Sequence, residues 1–152
     1  MTLYELLLFV HVLAAALWVG GVIMLKIQSD RVLRADPNRA AELAIETERV
    51  GTGVIMPASI VLLVAGIWMV FEGDWGFRPL WVKLGLAIYV ISAVAGAVFL
   101  GPHYKRIGEL RAERGPDDPE VGERLRRISA LSWIDVGLLV AAVFVMTVKP
   151  GS

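Results

Sequence analysis

The chain has 152 residues, of which 57% are hydrophobic and 20% are charged, and its formal net charge at pH 7 is zero. Its mean hydropathy of +0.65 is too high for an ordinary soluble domain of this length. The balanced charge gives no indication of nucleic-acid binding, and the absence of cysteine excludes disulfides, thiolate metal sites and thiol catalysis.

Four apolar runs follow one another along the chain, at residues 3–25, 54–71, 80–100 and 131–148. Each is close to the ~20 residues that cross the ~30 Å hydrocarbon core of a bilayer as a helix. Backbone amides in lipid must be hydrogen-bonded within their own segment, so we expect helices rather than strands. Short loops make sequential spans antiparallel neighbours, so residues 1–152 are predicted to form one all-α transmembrane domain, a four-helix bundle with helices that extend into the cytoplasm.

Within the first span, the stretch LLLFVHVLAAALWVGGVIML is apolar except for one ionisable residue, His11. No basic region precedes the run, which is also too long for a signal-peptide core, so we expect a retained transmembrane helix. Ala14, Ala15 and Trp18 share the helical face of His11, and small residues there leave room for a close neighbouring helix or a large flat ligand. Two interpretations stay open. His11 is a neutral histidine that donates a hydrogen bond to a carbonyl of the next helix, or it is an axial ligand of a metal or heme.

One local signal precedes the second span and another lies within it. Asp36 and Pro37 predict a helix start, with Asp36 as the N-cap and Pro37 at the first helical position. Pro57, in GVIMPASIVLLVAGIW, is predicted to bend the second span by more than about 20°, because proline displaces the carbonyl four residues back and donates no hydrogen bond. The thioether of Met56 beside it is more typical of packing than of cofactor binding.

The third span brings two further candidates. Trp75 and Trp81, at its start, suit the interface of a membrane. Lys83 either reaches the headgroups or faces the bundle interior, where its amine could hold a porphyrin propionate or, if neutral, act as a base or ligand. His103, at the other end of this span, lies roughly 20 Å or more from His11 by helix rise, so the two are not expected to ligate one iron.

A break precedes the helix of the fourth span. The stretch RGPDDPE contains Gly115, Pro116 and Pro119, which end one helix and start another. Asp135 lies just inside the fourth span. We expect it either to pair with an arginine at the same end of the bundle or to serve as a proton-relay carboxylate.

Lysine and arginine are distributed unevenly between the two ends of the bundle. Twelve of the fifteen fall between the first and second spans or between the third and fourth, and the others are Arg78, Lys83 and Lys149. The positive-inside rule makes the end with the twelve cytoplasmic and places both termini outside. The prediction is an integral protein of a bacterial cytoplasmic membrane.

Taken together, these features resemble a superfamily of small four-helix membrane proteins. It includes the HemJ-type protoporphyrinogen oxidases, the membrane domain of CopD-type copper proteins, and a large family of predicted integral membrane proteins. The last is the most similar in length and in the N-terminal MTLYELLLFVHVLAAALWVGG. The elements shared with the HemJ type are HVLAAALWVGG, IMPASIVLLVAGIWMV, LWVKLGLAIYV and VKP, which come in that family's order and cover nearly all four spans.

The resemblance implies a site for heme b in the first and third spans. His11 would be the residue that ligates the heme iron, as an axial ligand. Ala14 and Ala15 would leave space for the porphyrin ring, and Trp18 would pack against the pocket. Lys83 would be a second functional residue of the same pocket, with a catalytic role if the protein is an oxidase.

Asp135 stands where HemJ-type proteins carry a polar Asn-Glu pair at the start of the last span, so it is the second catalytic candidate. The chain has AIYVISAV where that family typically has a histidine. Heme binding is therefore more strongly implied than porphyrin oxidation.

Three functions are consistent with the sequence, and a heme b-binding redox protein is favoured. The second is a true protoporphyrinogen oxidase that passes electrons to quinone or another acceptor. The third is a cofactor-free membrane subunit in copper or other solute handling, in which His11 serves only packing. The partners expected are the lipid bilayer and a porphyrin or quinone, without nucleic acid, and a homo-oligomer stays open.

Overall fold

A computed structural model describes residues 2–74, 76–115 and 118–151 of the chain. The described residues are helical, without a strand. The α-helices are α1 (Leu3–Ala35), α2 (Pro37–Val50), α3 (Met56–Glu72), α4 (Leu80–Val94), α5 (Gly101–Arg114) and α6 (Pro119–Val148). Two π-helical segments, Gly51–Ile55 and Ala95–Leu100, join α2 to α3 and α4 to α5 without a break.

The result is four long helices, each apolar and long enough to cross a membrane, over Leu3–Ala35, Arg39–Glu72, Leu80–Arg114 and Pro119–Val148. The shortest has 30 residues, so at 1.5 Å per residue it is about 45 Å long and exceeds the hydrocarbon core. The all-α four-helix prediction is confirmed. We call the end that carries α2, α5 and the adjoining parts of α1 and α6 the basic end, and the opposite end the termini end.

Local signals in the sequence fix where the helices begin and end. Thr2 caps α1 through a capping box, since its hydroxyl accepts from the Glu5 amide at 3.2 Å and the Glu5 carboxylate accepts from the Thr2 amide at 2.7 Å. Asp36 accepts from the Arg39 amide at 3.3 Å, so the predicted start of α2 is confirmed. The break after α5 is also confirmed, with Gly115 at a φ of 92°. Residue 116 lies outside the described part of the chain.

Both prolines inside the long helices follow a π-helical segment. The Met56 amide donates to the carbonyl of Gly51, five residues back, just before Pro57. The segment Ala95–Leu100 precedes Pro102 in the same way. A widened turn gives the helix room for a residue that cannot donate a backbone hydrogen bond. Pro57 thus interrupts the α-helical hydrogen bonding as expected, while the predicted bend of more than about 20° stays a prediction.

The interior is packed differently at the two ends. At the basic end α2, α5 and α6 enclose a compact apolar core, in which Ile107 and Leu110 are fully buried. In the membrane-length part, large apolar side chains on the outer faces are exposed, among them Phe9, Met24 and Phe144. An apolar outer surface of this extent is expected where a protein contacts lipid tails rather than water.

Candidate functional site

A cavity of about 420 Å³ lies between the four spans at the termini end. All four long helices contribute to its wall, with Leu8, Leu62, Leu86 and Leu139 as examples, and Tyr4 and Lys149 near the two chain ends line it together. Its size is that of a small-molecule site, and its wall is mostly apolar with few polar groups. It is therefore the main candidate for a ligand site among the described residues.

His11 lines this cavity and is held by the neighbouring helix. Its Nδ1 lies 3.0 Å from the carbonyl oxygen of Leu62 in α3. A carbonyl only accepts, so Nδ1 carries the proton and donates, and in the neutral ring Nε2 keeps its lone pair. Nε2 has no hydrogen-bond partner among the described residues. This contact is the one that the packing interpretation predicts, and it is also how the non-ligating nitrogen of a metal-bound histidine is usually held.

Gly66 makes the approach of the His11 ring to α3 possible. A Cβ at this position would lie 2.9 Å from His11 Cε1 and 3.1 Å from His11 Nδ1. Both distances are shorter than ordinary van der Waals contacts, so any larger residue would displace the ring. Our sequence analysis did not identify Gly66, although a glycine in the apolar stretch VLLVAGIW is the signal that could have indicated it.

The other residues predicted beside His11 are divided between the cavity and the helix contacts. Ala15 and Trp18 line the cavity. Trp18 is buried and meets Tyr89 edge to face, with 5.2 Å between the ring centroids. Ala14 is also buried but is not among the lining residues, so its small side chain serves the close packing of α1 rather than the clearance of a ligand.

Lys83 lies outside the cavity, contrary to the expected pocket shared with His11. Its side chain is exposed, because α4 turns the face with Trp81, Val82 and Gly85 inward. The basic residue that lines the cavity is Lys149, which follows α6 in a left-handed conformation and holds its Nζ 5.3 Å from the centroid of the Trp81 ring. Trp81 is buried here instead of facing the headgroups, and Trp75 lies outside the described residues.

Asp135 is buried, with 7% of its surface exposed, and lies apart from the cavity. It packs beside Ser92 of α4. Asp135 Oδ1 and Ser92 Oγ are both buried without a hydrogen-bond partner of normal geometry in the described part of the chain. The arginine partner expected for Asp135 is not found there either, and its role as a proton relay stays a prediction.

His103 belongs to the basic end and does not line the cavity. Its Nδ1 accepts a hydrogen bond from an Arg124 nitrogen at 3.1 Å. The two histidines therefore belong to separate environments, as helix rise predicted. Within residues 2–74, 76–115 and 118–151, no group of three or more His, Asp or Glu side chains could hold a metal ion. Among the described lining residues of the cavity, His11 is the one His, Asp or Glu side chain.

A buried ion pair at the basic end is a feature that sequence analysis missed. Lys26 and Asp30, one helical turn apart in α1, form an ion pair with 5% and 7% of their surfaces exposed. Ser129 accepts from Lys26 at 2.8 Å and donates to Asp30 at 2.9 Å, and the Trp133 indole donates to Asp30 at 2.8 Å. The i,i+4 spacing of Lys26 and Asp30 was the available signal, but Lys26 was counted only among the basic residues between the first and second spans and Asp30 was not considered.

The fold and the cavity define a class of protein, an integral membrane protein of four spans with an apolar cavity between them. The chain belongs to the family described as "Predicted integral membrane protein (DUF2269)", whose model matches residues 5–150. No curated protein and no solved structure matches the chain. The family match confirms the membrane-protein part of the resemblance stated above.

Proposed function

We propose that the protein binds heme b in the cavity at the termini end, with His11 as an axial ligand. The observation that carries the proposal is the His11 imidazole, which lines an apolar cavity of about 420 Å³ while its Nδ1 is 3.0 Å from the Leu62 carbonyl. An imidazole fixed in this way presents the other nitrogen as a neutral ligand. In an apolar core an unpaired imidazole nitrogen costs several kcal/mol by the usual estimate, and this favours a partner for Nε2.

The rest of the lining supports the same ligand. Its apolar wall suits a porphyrin face, and Lys149 would pair with a propionate, the role that the sequence had suggested for Lys83. Met69 and Met146 also line the cavity. Each carries a thioether sulfur, which in some heme proteins binds the iron together with a histidine. Bound heme would supply one-electron transfer, and the protein would bind it, orient it and exclude water.

Beyond heme binding, the more specific part of the proposal is a redox function. The ordered elements shared with HemJ-type proteins favour electron transfer to or from a porphyrin or a quinone at this site. The catalytic roles suggested for Lys83 and Asp135 stay predictions, and the position of both residues outside the cavity favours heme binding over protoporphyrinogen oxidation. The alternative is a cofactor-free subunit in copper or other solute handling, which the His11–Leu62 hydrogen bond also fits.

The test compares His11→Ala with His103→Ala in detergent-purified protein that is reconstituted with hemin. Wild type and His11→Gly with added imidazole should show a Soret band, and His11→Ala should lose it. His103→Ala, the matched control at the basic end, should keep full heme occupancy. A wild type that takes up no heme, or a His11→Ala variant that takes up as much as wild type, would overturn the proposal and favour the cofactor-free alternative.

A further inference from the structure

A second concave site lies on the outer surface at the basic end, between α1 and α6. It has a volume of about 340 Å³ and is lined by Ile27, Asp30, Arg31, Arg34 and Trp133. Both arginine side chains are exposed, and half of the Trp133 surface is exposed. This groove is separate from the cavity with His11, so an inference drawn from it does not depend on the proposed function.

The groove has an excess of positive charge. Its one acid, Asp30, is already neutralised by the ion pair with Lys26 and accepts from Ser129 and Trp133. Arg31 and Arg34 have no ion pair within the described residues, and the same holds for Arg39, Arg49 and Arg126, which lie outside the groove. The other arginines at the basic end are ion-paired: Arg106, Arg111, Arg114, Arg124 and Arg127. Two guanidinium groups one helical turn apart are therefore available to an anion.

The groove begins just beyond the end of the apolar run of α1, so we expect its membrane-facing side at the level of the lipid headgroups. The apolar run of α1 ends at Leu25, and Arg31 and Arg34 follow six and nine residues later, about 9 Å and about 13 Å along the helix axis. The headgroup layer extends roughly 5–8 Å beyond the hydrocarbon core. Side chains on a helix lean toward its N-terminus, which for Arg31 and Arg34 is the direction of the bilayer. Trp133 and the exposed Ile134 in α6 add an aromatic and apolar surface on the membrane side.

We propose that this groove binds the headgroup of an anionic phospholipid, with Arg31 and Arg34 on the phosphate and Trp133 against the glycerol and the start of an acyl chain. Arginine matches the geometry of phosphate oxygens with paired N–H donors, and basic pockets between transmembrane helices are typical sites for anionic headgroups. The hydrogen bond from Trp133 to Asp30 holds the indole in place. The Lys26–Asp30 pair removes the negative charge that would otherwise repel the lipid.

The experiment measures lipid selectivity directly. The full chain is reconstituted into vesicles of phosphatidylcholine that contain a trace of spin-labelled phosphatidylglycerol or spin-labelled phosphatidylcholine, and the motionally restricted fraction of each is compared. Wild type should restrict phosphatidylglycerol several-fold more strongly, and Arg31→Gln/Arg34→Gln should reduce the ratio to about one. The matched control is Arg49→Gln/Arg126→Gln, which removes the same charge from two exposed arginines outside the groove and should keep the preference.

Each remaining outcome counts against the proposal. Equal restriction of the two lipids by wild type overturns it, and so does an unchanged ratio in Arg31→Gln/Arg34→Gln. Loss of the preference in both double variants indicates a diffuse field rather than a site, and competition by inorganic phosphate as effective as that of phosphatidylglycerol indicates a free anion as the ligand. If the double variant does not fold, the single Arg34→Gln variant should still reduce the ratio, and an unchanged ratio there contradicts the proposal.

Discussion

At the scale of single residues, the position of His11 depends on a glycine in the facing helix. Gly66→Ala would place a methyl group 2.9 Å from His11 Cε1, so the ring must move away from the Leu62 carbonyl. Loss of the hydrogen bond to the non-ligating nitrogen of a metal-bound histidine typically weakens metal binding by about 10–100-fold. We expect a loss of this order in hemin affinity.

The matched control is Gly20→Ala in α1, where an added Cβ meets nothing within 4 Å. Hemin titration followed at the Soret band, with thermal unfolding of the same samples, separates the two effects. Equal hemin affinity in Gly66→Ala and wild type would show that the His11–Leu62 contact has no part in ligand binding.

The buried pair of Lys26 and Asp30 leads to a second prediction. Removing one partner of a buried ion pair costs about 3–5 kcal/mol, because the other charge is left without compensation. We expect the lower part of this range, since Asp30 also borders the outer groove. Lys26→Met and Asp30→Asn should each lower the unfolding temperature, and the double variant should be more stable than the sum of the two losses indicates.

Glu123→Gln provides the comparison for this pair, because the Arg127–Glu123 ion pair is largely exposed on both sides and should contribute little. Thermal unfolding in one detergent checks all four variants. Additive losses for Lys26→Met and Asp30→Asn would mean that the two side chains are not coupled in the folded protein.

The types of residue that form the sites could be predicted from the sequence. The individual residue of each type could not always be predicted. His11 was found because an ionisable group in an apolar run stands out in any sequence. Lys83 was expected to line the cavity, but Lys149 lines it instead. Lys83 faces outward because packing against α6, and not the local sequence, sets the rotation of α4 about its axis. Lys26 and Asp30 could not be assigned to the interior, since their burial depends on Ser129 and Trp133, a hundred residues further along the chain.

At the scale of the helices, one compact apolar core lies at the basic end, outside the apolar spans. Ile107 in α5 is fully buried at the basic end, whereas 63% of the surface of Ile134 in α6 is exposed on the outer face. Truncation of a fully buried isoleucine to alanine typically costs about 2–5 kcal/mol. We therefore expect Ile107→Ala to lower the unfolding temperature clearly and Ile134→Ala, with the same chemical change, to lower it little.

Thermal unfolding in detergent, followed by far-ultraviolet circular dichroism, checks this pair of variants. A larger loss in Ile134→Ala would show that an unobserved contact, such as one with a second copy of the chain, covers the outer face of α6. Equal and small losses would indicate that the core of α2, α5 and α6 contributes little to the stability of the whole.

The existence of the four spans and the caps at Asp36 and Gly115 could be predicted because they depend on composition and on local hydrogen bonding. The π-helical turns before Pro57 and Pro102 could not. A proline indicates that the regular pattern must be interrupted, but whether the helix bends or widens depends on the neighbours it packs against.

At the scale of the whole molecule, the two proposed sites lie at opposite ends of the bundle. The compact core and the charged network are at the basic end, and the apolar cavity is between less tightly packed spans at the termini end. The spans at the termini end are joined at the cavity by the hydrogen bond between His11 Nδ1 and the Leu62 carbonyl. Which end faces the cytoplasm then decides from which side of the membrane a ligand reaches His11.

The orientation prediction can be tested in this chain without removing any residue, because it contains no cysteine. Ala112→Cys places a thiol on the exposed surface of α5 at the basic end, and Glu72→Cys places one at the end of α3 on the termini side. Twelve of the fifteen lysines and arginines lie between the first and second or the third and fourth spans, so the positive-inside rule makes the basic end cytoplasmic. A membrane-impermeant maleimide should therefore label the Glu72→Cys variant in intact spheroplasts and the Ala112→Cys variant only after permeabilisation, while a permeant maleimide labels both. The reverse pattern would invert the orientation and bring the His11 cavity to the cytoplasmic side, and labelling of both variants from outside would contradict an even number of spans with both termini on one side.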